Sequence, residues 1–134
     1  MHNSHQAGRW IVVVAALAGA TALVLSASSA HALKAWIGPD DLARLATANR
    51  YLMYYSLVLL VIGLFYPLRP WSGLLTVAKL FTTGVGIFCG SLYILCFTEI
   101  SWIARLTPLG GLTLLAGWLL LAWTGWRQGR DKDD

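Results

Sequence analysis

The chain has 134 residues, of which 57% are hydrophobic and 12% are charged, whereas a soluble domain typically has about a quarter charged residues. Ten Lys and Arg against six Asp and Glu give a formal net charge of +4, and most of these charges lie between long apolar runs. This pattern excludes most soluble folds and leaves no room for a separate soluble catalytic domain. It predicts one all-α integral membrane domain that covers residues 1–134.

Four apolar stretches predict four transmembrane helices that form a four-helix bundle. Each is long enough, as a helix, to cross a hydrocarbon core of about 30 Å. The second helix is expected to begin in the membrane interface at 39–50, because a proline and two acidic residues are typical of a helix start. A basic tail follows at 127–134. The spans cover approximately residues 10–32, 42–68, 72–98 and 107–126.

The amino-terminal end and the orientation leave alternatives open. Ala30-His31-Ala32 has the form of a signal-peptide cleavage site, but the preceding run is longer than a typical signal core and more spans follow, which favours a retained helix. Without Lys79, which lies in a span, five cations lie on the side of the two termini and four on the opposite side. The basic carboxyl tail favours cytoplasmic termini, and the near balance leaves a dual-topology dimer as an alternative.

Small residues predict where helices approach closely. Gly86 and Gly90 have a small-xxx-small spacing, and a stripe of polar and small residues around them faces either the bundle or a partner. The first helix has small residues at intervals of four. We therefore expect the tightest contact between the first and third helices. The candidate packing positions are Ala18, Ala22, Ser26, Gly86, Gly90, Gly110, Gly111 and Gly117.

Polar side chains at membrane depth are candidates for function because burying them in lipid is unfavourable. His31 is either an interfacial histidine or a residue for proton handling or a functional hydrogen bond between helices. Lys79 and Glu99 are expected near opposite membrane faces, as a snorkelling anchor and as a loop carboxylate that pairs with Arg105. The candidates are His31, Tyr55, Lys79, Tyr93 and Glu99.

The sequence gives no pattern for catalysis or for a cofactor. Cys89 and Cys96 lie about 10 Å apart along one helix, too far apart for a disulfide. The other histidines, His2 and His5, lie in the amino-terminal tail, so we expect no haem or metal site within one chain. No phosphate-binding loop, activated nucleophile or pair of carboxylates occurs at motif spacing. We therefore predict no catalytic residue and no cofactor, and the dispersed cations argue against nucleic-acid binding.

Several short motifs, in order along nearly the whole chain, resemble a family of small bacterial inner-membrane proteins. This is the YgdD-like family, a domain of unknown function with small eukaryotic transmembrane relatives. The resemblance implies a four-helix protein of the cytoplasmic membrane and brings no reaction, substrate or cofactor. The motifs are Ala30-His31-Ala32-Leu33-Lys34, Tyr51-Leu52-Met53-Tyr54, Gly90-Ser91-Leu92-Tyr93, Thr107-Pro108-Leu109-Gly110-Gly111 and Gly117-Trp118.

Two positions depart from the family pattern. Ala32 stands where the family usually has glycine, and Tyr55 stands where a second histidine is common. If the two family histidines act together, this chain has half of the pair. Tyr55 is then a candidate to hydrogen-bond His31 across the first two helices.

Three functions are compared. An accessory, assembly or supernumerary subunit would bind membrane lipids and a larger membrane complex, or its own copies, through the small-residue faces. A minimal oligomeric transporter or channel would need a polar path lined by His31, Lys79, Tyr93 or Glu99. A membrane-embedded enzyme for lipid or quinone would need partners for His31 as a base. The accessory role is expected because it requires no chemistry that the sequence lacks.

Overall fold

The structure is a computed structural model, and it describes residues 2–130. Each of its four long helices is long and apolar enough to cross a membrane, and no strand occurs among these residues. The predicted all-α membrane bundle of four helices is confirmed. Short 3-10 turns at Leu33–Ala35 and Ser101–Arg105 lie in two of the connections. The helices are α1 (His2–His31), α2 (Pro39–Phe65), α3 (Leu74–Phe97) and α4 (Leu106–Arg130).

The helix ends follow local sequence signals. Helix α2 begins at Pro39, where the fixed φ of proline suits the first turn, and continues without a break through the polar segment to Phe65. Near its start, the Arg44 guanidinium donates to the Asp41 carboxylate at 2.7 Å. Gly73 precedes α3 with a φ of 94°, a left-handed conformation that favours glycine. Helix α4 extends as far as Arg130, so that the first residues of the basic tail are helical.

The helices pack in chain order, α1 on α2, α2 on α3 and α3 on α4, whereas α1 and α3 scarcely touch. The predicted tight contact between the first and third helices is therefore wrong. Its physical reason is a close approach of the α1 and α2 backbones. A Cβ on Gly8 would lie 2.8 Å from the Gly63 carbonyl oxygen, and a Cβ on Gly63 would lie 3.0 Å from the Val12 backbone nitrogen.

A second close contact joins α3 and α4. A Cβ on Gly110 would lie 2.5 Å from the backbone nitrogen of Phe88, and one on Gly84 would lie 3.0 Å from the Leu114 backbone nitrogen. Gly111, by contrast, has only a Phe88 ring carbon nearby, at 3.9 Å. The backbones of α3 and α4 therefore touch where glycine removes the side chain.

The buried core is contributed mostly by α2 and α3, with further residues from α1 and α4. Phe81 is fully buried there, and its ring centroid lies 5.2 Å from that of Tyr55 and 5.1 Å from that of Trp118. Gly117 makes room for Phe81, because a Cβ on Gly117 would lie 2.6 Å from the phenyl ring. This aromatic cluster fixes the height of α4 against α2 and α3.

Candidate functional site

One helix face is left open by the rest of the chain. We call it the outer face of α3 and define it by Thr76, Lys79, Thr83, Gly86 and Gly90, which recur at helical spacing. A Cβ on Gly86 or on Gly90 would meet nothing within 4 Å. The part of the expected stripe that contains Gly86 and Gly90 is therefore turned away from the bundle, whereas Tyr93, which the sequence also places on the stripe, faces α2.

Lys79 is exposed on this face, five residues after the first residue of α3, or about 8 Å along the helix axis. With Thr82 and Thr83 it lines a cleft of about 280 Å³ that α1 borders through Trp10. The outer face of α3 therefore combines a cation, hydroxyl groups and two open glycines on one surface.

Tyr93 lies on the same helix but turns towards α2. Its hydroxyl donates to the Asn49 side-chain oxygen at 2.7 Å. Asn49 is only 4% exposed, and its amide nitrogen Nδ2 is buried without a hydrogen-bond partner among the described residues. A buried amide whose oxygen is hydrogen-bonded while its nitrogen is not is unusual in a protein interior.

Asn49 also lines a groove between α1 and α2 with a volume of about 420 Å³. Arg50, exposed and adjacent to Asn49, is the charged side chain in its lining. We call this feature the α1–α2 groove. The packing candidate Ser26 lines it and is exposed, whereas Ala22, one turn away, is buried in the helix contact. The lining residues are Leu23, Ser26, Ser29, Ala46, Asn49, Arg50, Met53 and Tyr54.

Tyr55 lies in the middle of the bundle, where its hydroxyl accepts a hydrogen bond from Trp118 Nε1 at 2.9 Å. The neighbouring Ser56 donates to the Ala15 carbonyl at 2.9 Å. Ala15 precedes His31 by 16 residues of α1, which is about 24 Å. The predicted hydrogen bond between Tyr55 and His31 is therefore wrong, because the two side chains lie at different heights of the bundle. His31 is exposed at the end of α1.

Glu99 is exposed just after α3, about 30 Å along the helix direction from Lys79. Within residues 2–130 the one salt bridge joins Arg44 and Asp41. The expected pair of Glu99 with Arg105 is therefore wrong. The 3-10 turn at Ser101–Arg105 ends in Arg105, and it separates the two residues in the connection.

The two cysteines serve as contacts between helices. The Cys89 thiol donates to the Ala48 carbonyl and the Cys96 thiol donates to the Asp41 carbonyl, each at 3.3 Å. Both thiols are free and buried. Among the described residues, no group of three or more His, Cys, Asp or Glu side chains could hold a metal ion.

The family model described as Protein of unknown function (DUF423) matches residues 25–111. The chain belongs to this family. The matched range runs from the end of α1 to the first turns of α4, and so contains the outer face of α3 and most of the α1–α2 groove.

Relatives in the DUF423 family include three bacterial membrane proteins. UPF0382 membrane protein SAB0533 of Staphylococcus aureus is 34% identical over 114 residues, which covers 82% of this chain and 89% of the relative. UPF0382 membrane protein YwdK of Bacillus subtilis is 33% identical, with 82% and 90% covered. UPF0382 inner membrane protein YgdD of Escherichia coli is 28% identical, with 84% and 86% covered. No solved structure gives a significant match.

The sequence of this DUF423 chain did not by itself identify Asn49 and Arg50 as a polar site. Arg50 was counted only as one of the four cations on the side opposite the termini, although it is followed by an uncharged run to Phe65. That run indicates a position inside the second helix. The contact of Asn49 with Tyr93 spans 44 positions in the sequence, and no local pattern could have predicted it.

Proposed function

We propose that the protein is an accessory or assembly subunit that binds a larger membrane complex through the outer face of α3. The observation that carries this proposal is that Gly86 and Gly90 are open, whereas Gly84, Gly110 and Gly117 close contacts within the chain. Helices in lipid associate through close packing and polar contacts, because lipid tails are as apolar as leucine. Open glycines beside exposed hydroxyls offer both kinds of contact to a transmembrane helix of another protein.

The interior supports a role in binding rather than in catalysis. Ser56 is used in a hydrogen bond between α1 and α2, and Ser91 bonds Thr107 at 2.7 Å between α3 and the start of α4. These buried polar groups hold helices together. They leave the outer surface as the place where the chain meets other molecules.

We further propose that the protein lies in the cytoplasmic membrane with both termini in the cytoplasm. The name of the E. coli relative, an inner membrane protein, supports the location. Five cations lie on the terminal side against four on the opposite side, and two of the five, Arg127 and Arg130, lie in the last turn of α4, which supports cytoplasmic termini.

Affinity purification in mild detergent tests the accessory role. We expect the tagged wild-type protein to recover a stoichiometric large partner, and the double variant Gly86→Leu, Gly90→Leu to lose at least nine tenths of it. The matched control is Gly125→Leu, because a Cβ there also meets nothing within 4 Å but lies on α4. All three proteins should melt at similar temperatures, since the Cβ of each substituted residue meets nothing within 4 Å. Equal recovery from all three, or a solitary wild-type monomer, would contradict the proposal.

A minimal oligomeric transporter or channel is the second candidate, and exposed Lys79 in its cleft favours it. An ionisable side chain at membrane depth is a typical feature of a transport path. If the wild type purifies as a lone small oligomer that shows a flux in proteoliposomes, Lys79→Met should abolish that flux. Lys34→Met, in the exposed turn after α1, is the control and should leave it intact. An unchanged flux in Lys79→Met would remove Lys79 from the path.

A further inference from the structure

We propose that the α1–α2 groove binds the phosphate of an anionic phospholipid. Arg50, the Ser26 hydroxyl and the Nδ2 amide of Asn49 are the donors. The inference is independent of the docking role of the outer face of α3, because the two surfaces lie on different helices and share no residue.

The first argument is the unsatisfied amide of Asn49. Its oxygen accepts the Tyr93 hydroxyl, which fixes the orientation of the side chain, and Nδ2 is buried with no acceptor among the described residues. Asn49 lines the groove at the same time. A buried donor without an acceptor is unfavourable, and a ligand oxygen in the groove would satisfy it.

The second argument is the position of Arg50. It lies 11 residues after Pro39 and 15 before Phe65, which is about 16 and 22 Å along α2. A guanidinium at the start of the uncharged run that continues to Phe65 requires an anion or a route to the headgroups. Within residues 2–130 the one salt bridge joins Arg44 and Asp41 and does not involve Arg50. No carboxylate lines the groove. The ligand therefore has to bring the negative charge.

Ser26 supplies the third donor, whereas the nearby Ser29 does not. The Ser29 hydroxyl donates to the Ser26 carbonyl at 2.8 Å, so Ser29 is already used within α1. The Ser26 side chain is exposed and lines the groove. Phosphate oxygens accept several hydrogen bonds at once and pair well with a planar guanidinium. Three donors from two helices match that chemistry.

The shape of the groove favours a lipid over a free anion. Leu23 and Met53 line its deep end, while Ser29 and Ala46 lie closer to the connection between α1 and α2. A phospholipid has the same order, with its phosphate near the surface and its acyl chains deeper. Because no acidic side chain lines the groove, it offers no opposite charge to the ammonium group of a zwitterionic headgroup. Phosphatidylglycerol is thus expected to bind more tightly than phosphatidylethanolamine.

Native mass spectrometry of the delipidated full-length protein tests the proposal, with phosphatidylglycerol and phosphatidylethanolamine of identical chains as probes. We expect phosphatidylglycerol to bind at least tenfold more tightly. Arg50→Gln should weaken it about tenfold or more, as for the loss of a charge-assisted hydrogen bond. The control Arg69→Gln removes an exposed arginine from the connection between α2 and α3 and should change nothing. Equal binding of the two lipids, or equal losses in the two variants, would overturn the proposal.

Asn49 needs a variant that preserves its contact with Tyr93. Asn49→Asp retains an oxygen acceptor for the Tyr93 hydroxyl and replaces the Nδ2 donor with a carboxylate oxygen, which repels a phosphate, so phosphatidylglycerol binding should fall about tenfold or more. A folded Asn49→Asp protein with wild-type affinity would overturn the assignment. So would displacement of the lipid by millimolar inorganic phosphate, or an Arg50→Gln variant that retains lipid but loses a protein partner.

Discussion

Gly110→Ala is expected to lower the free energy of unfolding by about 1–3 kcal/mol, the usual effect of overpacking a well-packed contact. The added Cβ would lie 2.5 Å from the Phe88 backbone nitrogen and 2.8 Å from its Cα. Backbone atoms of a helix cannot rotate away as a side chain can. The methyl group therefore has to push α4 away from α3.

Gly111→Ala is the matched control for this experiment. It adds the same methyl group one residue along the same helix, where the nearest atom of Phe88 lies at 3.9 Å. Its effect should stay within about 0.5 kcal/mol. Thermal unfolding of both variants in the same detergent measures the difference. Indistinguishable melting curves would mean that the contact between α3 and α4 is looser than described.

The second large effect is expected from Phe81→Ala, which should destabilise the protein by about 3–5 kcal/mol. Phe81 is fully buried between the rings of Tyr55 and Trp118, so its removal leaves a cavity at the junction of three helices. Phe97→Ala is the control, because Phe97 is more than half exposed at the end of the same helix.

A double-mutant cycle can locate this effect in the contact with Gly117. In the wild type, Gly117→Val should be destabilising, because its Cβ would lie 2.6 Å from the Phe81 ring. In the Phe81→Ala background the same valine enters the space left by the ring. The double variant should therefore be more stable than the sum of the single effects by about 1 kcal/mol or more. Strict additivity would show that the valine and the ring do not compete for one space.

The helices could be predicted from the sequence because their signals are local. Apolar runs of sufficient length specify spans, and Pro39 lies at the start of α2. Those signals depend on neighbouring residues alone. The same analysis therefore reached the four-helix membrane architecture and the continuous second helix.

The pairing of the helices could not be predicted in the same way. The regular spacing of Gly86 and Gly90 predicts a close contact between helices, yet that face is turned outwards. The real contacts use single glycines such as Gly8, Gly63 and Gly110, which form no regular motif. A small residue shows that a helix can be approached closely, but not which helix approaches it.

The predictions of polar contacts between helices were wrong for a related reason, because such contacts depend on the relative heights of the helices. Tyr55 and His31 were paired because they lie on neighbouring helices, but the packing at Ser56 and Ala15 fixes a register that separates them. The same register aligns Tyr93 with Asn49. A shift of one helical turn is about 5.4 Å, enough to replace one set of partners by another.

Close glycine contacts and the hydrogen bonds of Cys89, Cys96 and Tyr93 join different pairs of helices, and they divide the chain into two helical hairpins. Close glycine contacts hold α1 to α2 and α3 to α4, whereas the thiols of Cys89 and Cys96 and the Tyr93 hydroxyl donate across the boundary between α2 and α3. The two helices of each hairpin are consecutive in the sequence. Each hairpin can therefore complete its closest packing as soon as its own residues are synthesised. We expect biogenesis to proceed by insertion of one hairpin at a time, with the hydrogen bonds between them formed last.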